Sequence, residues 1–373
     1  MVAEPHAAYY GYMNSLSRRW QFLLRTTKNS SETLQPLEDA IKDVFIPALV
    51  GRKITQHERT IFALPTRFGG MGIANPCDEA DSEYNNSFNV TSPLKHVIKQ
   101  QSDNFDNVNT EEIKRQKQRV KTEKKERNEE KFQSIISSRD TTPSLARALE
   151  LAIEKGSSSW LNTAPNRDLG LFLNKQEFRD SISLRYNWSV KGVAKLCACG
   201  KDNDIDHALV CKKGGFVILR HNAIRDTQAM FLREACRDVK TEPELIPLEN
   251  ETLMYASTAT EDRARLDISA RGVWGNMERV FFDVRVTHPN TLSNRNKPLR
   301  QIYKEQQQEK KRKYNERIIE IEKASFVPLI FTTSGGMGPE CERLNKRLTE
   351  LIASKHRSRM RTSSKQHCQN NIY

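Results

Sequence analysis

The chain has no apolar run near the roughly 18 residues that a membrane-crossing helix requires, which argues against a helical membrane span. Its opening, MVAEPHAAYYGYM, lacks both the basic start and the long apolar stretch of a secretory signal, so an intracellular protein is expected. Apolar residues are scarce at 37%, aromatic residues make up 8%, and the mean hydropathy is -0.70. The core must therefore be economical, and some segments are expected to be solvated along their whole length. Cysteine is too unevenly spread for a disulfide framework: of an odd total of seven, Cys197, Cys199 and Cys211 crowd around one histidine, while Cys77, Cys236, Cys341 and Cys368 stand apart. That pattern suggests a metal site in a reducing compartment. No internal repeat is found.

What the chain has in excess is positive charge. Its 373 residues carry 60 Lys+Arg against 47 Asp+Glu, a formal charge of +13 with a pI near 9.4. Such a balance favours polyanionic partners, nucleic acid first among them. The length allows two or three domains with their own cores.

Residues 16–50 carry Leu37, Ile41, Val44, Phe45 and Leu49 at helical spacing before Gly51, and "LPTRFGGMGIANP" (64–76) reads as a turn-rich connector. From about 79 to 110 the composition shifts to Asn, Ser, Asp and Gln and reads as linker. The stretch 111–131, "EEIKRQKQRVKTEKKERNEEK", is either a solvated helix laced with i,i+4 pairs or disordered. Two helices follow, in "SLARALELAIEKGSSSWL" and "FLNKQEFRDSISLRYNW". Beyond 197 the pattern is a helix (221–239), a strand candidate near 244–248, strands at 264–270 and 279–287, a helix (300–322) and the strand "FVPLIFT".

"CACGKDNDIDHALVCKKGG" supplies Cys197, Cys199, His207 and Cys211 in a C-x-C-x7-H-x3-C spacing. Three thiolates and one imidazole in so short a loop satisfy a tetrahedral zinc ion and leave no position open for chemistry, so the site is expected to be structural. The bland alternative is a chance group of buried thiols. Lys212 and Lys213 beside it could grip phosphate.

Two apolar runs are each interrupted by one aspartate. Side chains alternate along a strand, so in "VFFDVRV" Val280, Phe282, Val284 and Val286 face one way and Phe281, Asp283 and Arg285 the other. The same rule in "RLDIS" sets Asp267 opposite in direction to Leu266 and Ile268. Two carboxylates on neighbouring strands repel unless a cation lies between them, and a divalent metal meets that demand. Arg285 lies two residues past Asp283, but an arginine stays protonated. The helix "YKEQQQEKKRKYNERIIEIEK" offers a second cation, because its stripe of Ile321, Ile318 and Tyr314 continues back to Lys310 and Gln307. The bland readings are a wet edge strand for the aspartates and a solvated face or nuclear-import patch for residues 310–313. Their joint occurrence in a basic chain favours a metal-dependent nuclease.

At these residues the sequence resembles the carboxyl-terminal part of a non-LTR retrotransposon polyprotein that carries a restriction-like endonuclease. "HAAYYGYMNSLSRRWQFLLRT", "LEDAIKDVFIPALVGR" and "LPTRFGGMGIANP" are similar to the segment after the reverse transcriptase palm, "CACG...DHALVC" to the CCHC knuckle, and "GGFVILRHNAIRD" to the helix that opens the endonuclease. "RLDI", "FFDVRV" and "KKRKY" resemble the PD-(D/E)XK core. The resemblance implies Asp267 and Asp283 as Mg2+ ligands, and a catalytic lysine moved to the next helix in a K-x-x-K-Y pattern, which matches Lys310, Lys313 and Tyr314. Arg285 stands in the usual lysine slot, and Leu266 replaces the family's proline. No Y-x-D-D turn is present, so self-contained reverse transcription is not expected.

The fold expected is α+β: a helical post-palm segment (1–78), a polar and charged linker (79–140), a helical linker (141–196), a CCHC zinc knuckle (197–215), a restriction-endonuclease-like core with a mixed sheet flanked by helices (216–352) and a basic disordered tail (353–373). The function implied is nuclear, Mg2+-dependent nicking of target DNA, with structural Zn2+ and with Arg220, Arg225, Lys212 and Lys213 on phosphates. Element RNA and a polymerase-bearing relative acting in trans are further partners the resemblance implies. The competing expectation is a non-catalytic nucleic-acid-binding relic.

Overall fold

The computed structural model describes residues 3–101, 107–247 and 264–370. The chain is α+β and divides into two compact units, Met1–Gly192 and Val193–Tyr373. Among the described residues of the first unit every regular element is a helix: α1 (Pro5–Gly11), α2 (Gln21–Thr26), α3 (Ile46–Val50), α4 (Gln56–Ala63), α5 (Pro76–Lys99), α6 (Asn107–Ile136), α7 (Pro143–Ala152) and α8 (Lys175–Arg185) are the principal ones.

Local chemistry explains where these helices begin and stop. Thr55 and Glu58 form a reciprocal capping box at the start of α4, and Asn174 and Glu177 do the same for α8. Gly51 ends α3 in the left-handed conformation, with φ of +81°. The core joins Tyr9, Ile46, Leu49, Phe62, Leu149, Phe178 and Ile182. Each such side chain contributes about 1.5–3 kcal/mol when fully removed from water. A charged group lies among them. Arg59, 1% exposed, donates to both carboxylate oxygens of Glu38 at 2.7 Å and to the carbonyl of Ile73 at 2.7 Å, which ties the connector 64–76 onto α4.

The segment expected as linker is instead part of this unit. Asn75 accepts hydrogen bonds from the N–H groups of Cys77 and Asp78, Pro76 takes the first helical position, and Asp78 and Glu79 favour the helix dipole. The resulting α5 runs to Lys99 despite its Asn/Ser-rich composition, packing against α2 and α6. Helix α6 carries solvated pairs such as Arg119–Glu123, then sends Lys124 to Glu83 at 2.8 Å and buries Phe132 and Ile135. Tertiary support decides the state of both segments where composition alone reads as coil.

The second unit holds a four-stranded mixed sheet in the order β1 (Arg237–Thr241), β2 (Ile268–Arg271), β3 (Arg279–Thr287), β4 (Ser325–Thr332). The first three strands are antiparallel; β3 and β4 are parallel. Its helices are α9 (Ile205–Val210), α10 (Phe216–Ala235), α11 (Leu299–Glu320) and α12 (Pro339–Asn370). Ala229 and Leu232 of α10 and Leu344 and Leu348 of α12 pack with Ile268, Val280, Phe282, Val284 and Leu329 on one face of the sheet. On the other face Phe281, Phe326 and Leu266 pack with Ile318 and Tyr314 of α11, the crossover between β3 and β4.

Four expectations are corrected here. Helix α10 spans 216–235 and not 221–239, because residues 237–241 form edge strand β1, whose exposed charged side chains mimic a solvated helix end. The strand expected near 244–248 is reduced to an isolated bridge between Glu244 and Arg265, and its last position lies outside the described residues. Strand β2 begins at Ile268 and not at 264. The tail expected as disordered from 353 continues α12 as far as Asn370.

Candidate functional site

Strand β3 pairs with β4 along residues 280–287 and with β2 over residues 279–282, so Asp283 stands just past the end of the β2 ladder. Phe282 and Val284 enter the layer under α10 and α12, which turns Phe281, Asp283 and Arg285 toward α11. Asp283 is consequently 6% exposed. Burial pushes its carboxyl pKa up, the Lys310 ammonium pulls it back, and the Asp267 charge adds to the rise. Lys310 reaches across from α11, its Nζ 2.5 Å from Asp283 Oδ2.

Asp267 stands one residue before β2, and its side chain meets the peptide that joins Asp283 to Val284. The alternation expected for "RLDIS" fails at this point, since Leu266 joins the cluster under α11 whereas Ile268 joins the opposite one. The backbone bends where β2 has not yet begun, and the Asp267 side chain takes over a ladder position: Oδ2 accepts the N–H of Val284 at 2.6 Å. His221 of α10 approaches the same carboxylate oxygen at 3.3 Å and the carbonyl oxygen of Val284 at 3.1 Å. The hydrogen bond to Asp267 raises the His221 pKa, against the opposing effect of burial.

Three residues of the K-x-x-K-Y pattern sit around this pair. Tyr314 packs on Phe326 with ring centroids 5.7 Å apart, and burial together with Asp283 pushes its hydroxyl up to about 12. Lys310 Nζ lies 5.8 Å from the Tyr314 ring centroid, and Lys313 Nζ 4.9 Å from it. Arg285 shares the face of Asp283 but is held by Glu309 at 2.7 Å. The structure thus brings Asp283, Lys310 and Tyr314 together beside Asp267, with Lys313 against the Tyr314 ring and Arg285 paired with Glu309.

The cysteine-histidine cluster is a separate assembly in the same unit. A tight turn over Cys197–Gly200 and the short helix α9, capped by Asp204 on the His207 N–H, bring the ligand atoms of Cys197, Cys199, His207 and Cys211 within 4.8 Å of one another. Cys197 and Cys211 sulfurs are 3.6 Å apart, and Cys199 Sγ is 3.2 Å from His207 Nε2. A hydrogen bond from the Cys199 backbone and contact with His207 pull the Cys197 thiol down to about 6, toward the thiolate a metal requires. Such a donor set can hold a metal ion such as zinc. Asp206, beside His207, is met by His288 Nε2 at 3.0 Å and Asn290 Nδ2 at 3.2 Å, which fastens α9 to the end of β3.

No protein-family model and no curated protein matches the chain.

Of the basic residues, Lys212 and Lys213 are exposed next to the cysteine-histidine cluster. Arg220 and Arg225 are engaged internally: Arg220 donates to the carbonyl of Leu209 at 2.9 Å, and Arg225, 13% exposed, is held by Asp226 and Glu242. Their charges are largely used inside the fold. His221 was not legible as a site residue. Its signal is positional: His221, Arg225, Gln228 and Leu232 fall on the stripe of α10 that faces the sheet, where a polar side chain needs a partner.

Proposed function

We propose that the second unit is a metal-dependent DNA endonuclease with a restriction-like core, derived from a non-LTR retrotransposon polyprotein. The observation that carries this reading is the buried contact between Asp283 and Lys310, next to a second carboxylate anchored on the Val284 peptide. Burying charge in the centre of a sheet is costly, and a hydrophobic pair of similar volume would stabilise the unit at least as well. Perturbed carboxylates of this kind belong more often to chemistry than to scaffolding.

The residues suit a divalent cation. Asp283 and Asp267 offer two carboxylates, the first of them buried against Lys310, and carboxylate oxygens are the ligands that Mg2+ prefers. Asp267 and Asp283 would hold the ion, which when bound supplies Lewis-acid stabilisation of a phosphate oxygen and lowers the pKa of a coordinated water. Lys310 then orients the attacking water and offsets the charge that grows on the phosphate oxygens. Tyr314, packed on Phe326, presents its ring 5.8 Å from the Lys310 ammonium. Exposed Lys212 and Lys213 beside a zinc-loaded knuckle contact backbone phosphates, an affinity that falls steeply with salt. A nuclear location, element RNA as an additional ligand and a polymerase-bearing relative in trans are part of the same proposal.

A non-catalytic nucleic-acid-binding relic is the second reading, favoured by the internal use of Arg285 and by a basic knuckle surface that needs no carboxylates. Mg2+-dependent nicking of supercoiled plasmid separates the two. Wild type nicks and Asp283→Asn does not under the nuclease reading; equal yields from both, with DNA binding intact, support the relic.

A further inference from the structure

We propose that His221 is a positioning residue that sets the geometry of Asp267 for a divalent cation. The inference deepens the nuclease reading and rests on it. Asp267 Oδ2 is gripped twice, by the Val284 N–H at 2.6 Å and by His221 Nε2 at 3.3 Å. Nε2 also lies 3.1 Å from the Val284 carbonyl oxygen, while Nδ1 faces Asn222 Oδ1 at 3.3 Å. A nitrogen that meets two oxygens acts as a hydrogen-bond donor, shared between them, and is not offered to a metal. His221 therefore touches the ligand, not the ion.

The consequence is directional. A free aspartate rotates about its terminal torsion and presents either oxygen, or both, to an ion. With Oδ2 held against the peptide that joins Asp283 to Val284, Oδ1 is the oxygen that remains to face the cation, beside the other carboxylate. Such outer partners orient carboxylate ligands, and their loss weakens metal affinity by about ten- to a hundredfold. The imidazole is itself fixed because α10 is packed on the sheet through Ala229 and Leu232. Its neighbour Arg220 holds the carbonyl of Leu209 at 2.9 Å, so the start of α10 is restrained from a second direction.

The test uses the full zinc-loaded chain and Mn2+ alone as probe. Mn2+ binding is followed by titration calorimetry and electron paramagnetic resonance, with the Asp267→Ala, Asp283→Ala double variant as background. His221→Ala is expected to weaken the carboxylate-dependent binding by about tenfold or more, and His221→Gln, which can place a donor nitrogen near the same point, to restore most of it. In nicking assays His221→Ala should shift the Mg2+ concentration for half-maximal rate upward by a similar factor, with a smaller loss at saturating Mg2+. Wild-type Mn2+ affinity in His221→Ala, or a Gln variant as impaired as the Ala variant while circular dichroism shows both folded, overturns the role of His221 and leaves the carboxylate pair standing. No carboxylate-dependent Mn2+ binding in wild type overturns both.

Discussion

Lys310 Nζ and Asp283 Oδ2 meet at 2.5 Å between helix α11 and the interior strand β3, with the two side chains 19% and 8% exposed. Removing the cation alone leaves a carboxylate stranded in a low-dielectric site. Lys310→Met is expected to destabilise the second unit by about 3–5 kcal/mol, and Asp283→Asn, which strands the less buried Lys310 ammonium, by less. Urea midpoints of the two variants and of the double variant measure this asymmetry. A Lys310→Met protein as stable as wild type would show that the pair is not buried as described.

The cysteine-histidine cluster predicts one zinc ion per chain. Metal content by atomic emission should fall to near zero in Cys197→Ser, and chelation should lower the melting temperature reversibly, with recovery on adding Zn2+. Unchanged metal in the serine variant would mean that these four side chains are not its ligands.

Two glycines give opposite predictions in the first unit. A Cβ at Gly70 would lie 2.0 Å from the carbonyl oxygen of Leu64, a backbone atom that cannot yield, whereas at Gly11 nothing lies within 4 Å. Gly70→Ala should therefore cost about 3 kcal/mol or more, and Gly11→Ala should be neutral or stabilise by up to about 1 kcal/mol. Thermal melts compare them directly; a tolerated Gly70→Ala would refute the fold of the connector.

His6 is 2% exposed, stacks on Phe178 with ring centroids 5.7 Å apart and accepts the Leu173 N–H on Nδ1 at 3.1 Å. Burial holds its pKa below the ordinary 6.5, against a smaller opposing effect of nearby backbone groups. The unfolded chain then takes up its proton first, so this contribution to stability is complete above pH 6.5 and is lost as the pH falls toward the lowered value. Between about pH 7.5 and 5 the wild type should lose more stability than His6→Asn. Parallel pH dependences would contradict it.

Much of the second unit could be read from residue periodicity. The alternation in "VFFDVRV" assigns both faces of β3, because helices cover the sheet on either side, and the stripe running from Ile318 back to Lys310 marks the side of α11 that meets it. The bend at Asp267 is not local information; it arises where β2 starts late, and a period-two rule has no way to register the shift. His221 escaped notice for a related reason, since its role depends on a carboxylate 46 positions away. Helix α5 and strand β1 mislead by composition: Asn/Ser-rich residues become helical under a strong cap and tertiary packing, and charged residues line an edge strand as readily as a solvated helix.

The most direct measurement is Mg2+-dependent nicking of supercoiled DNA by the full chain, with wild type, Asp267→Asn, Asp283→Asn and Lys310→Met prepared alike and DNA binding measured in parallel. The carboxylate-lysine account predicts nicking by wild type, a loss of at least about a hundredfold in each variant, and binding retained throughout. Nicking that survives in both aspartate variants, or a wild type that binds DNA and never cuts it, would contradict the account.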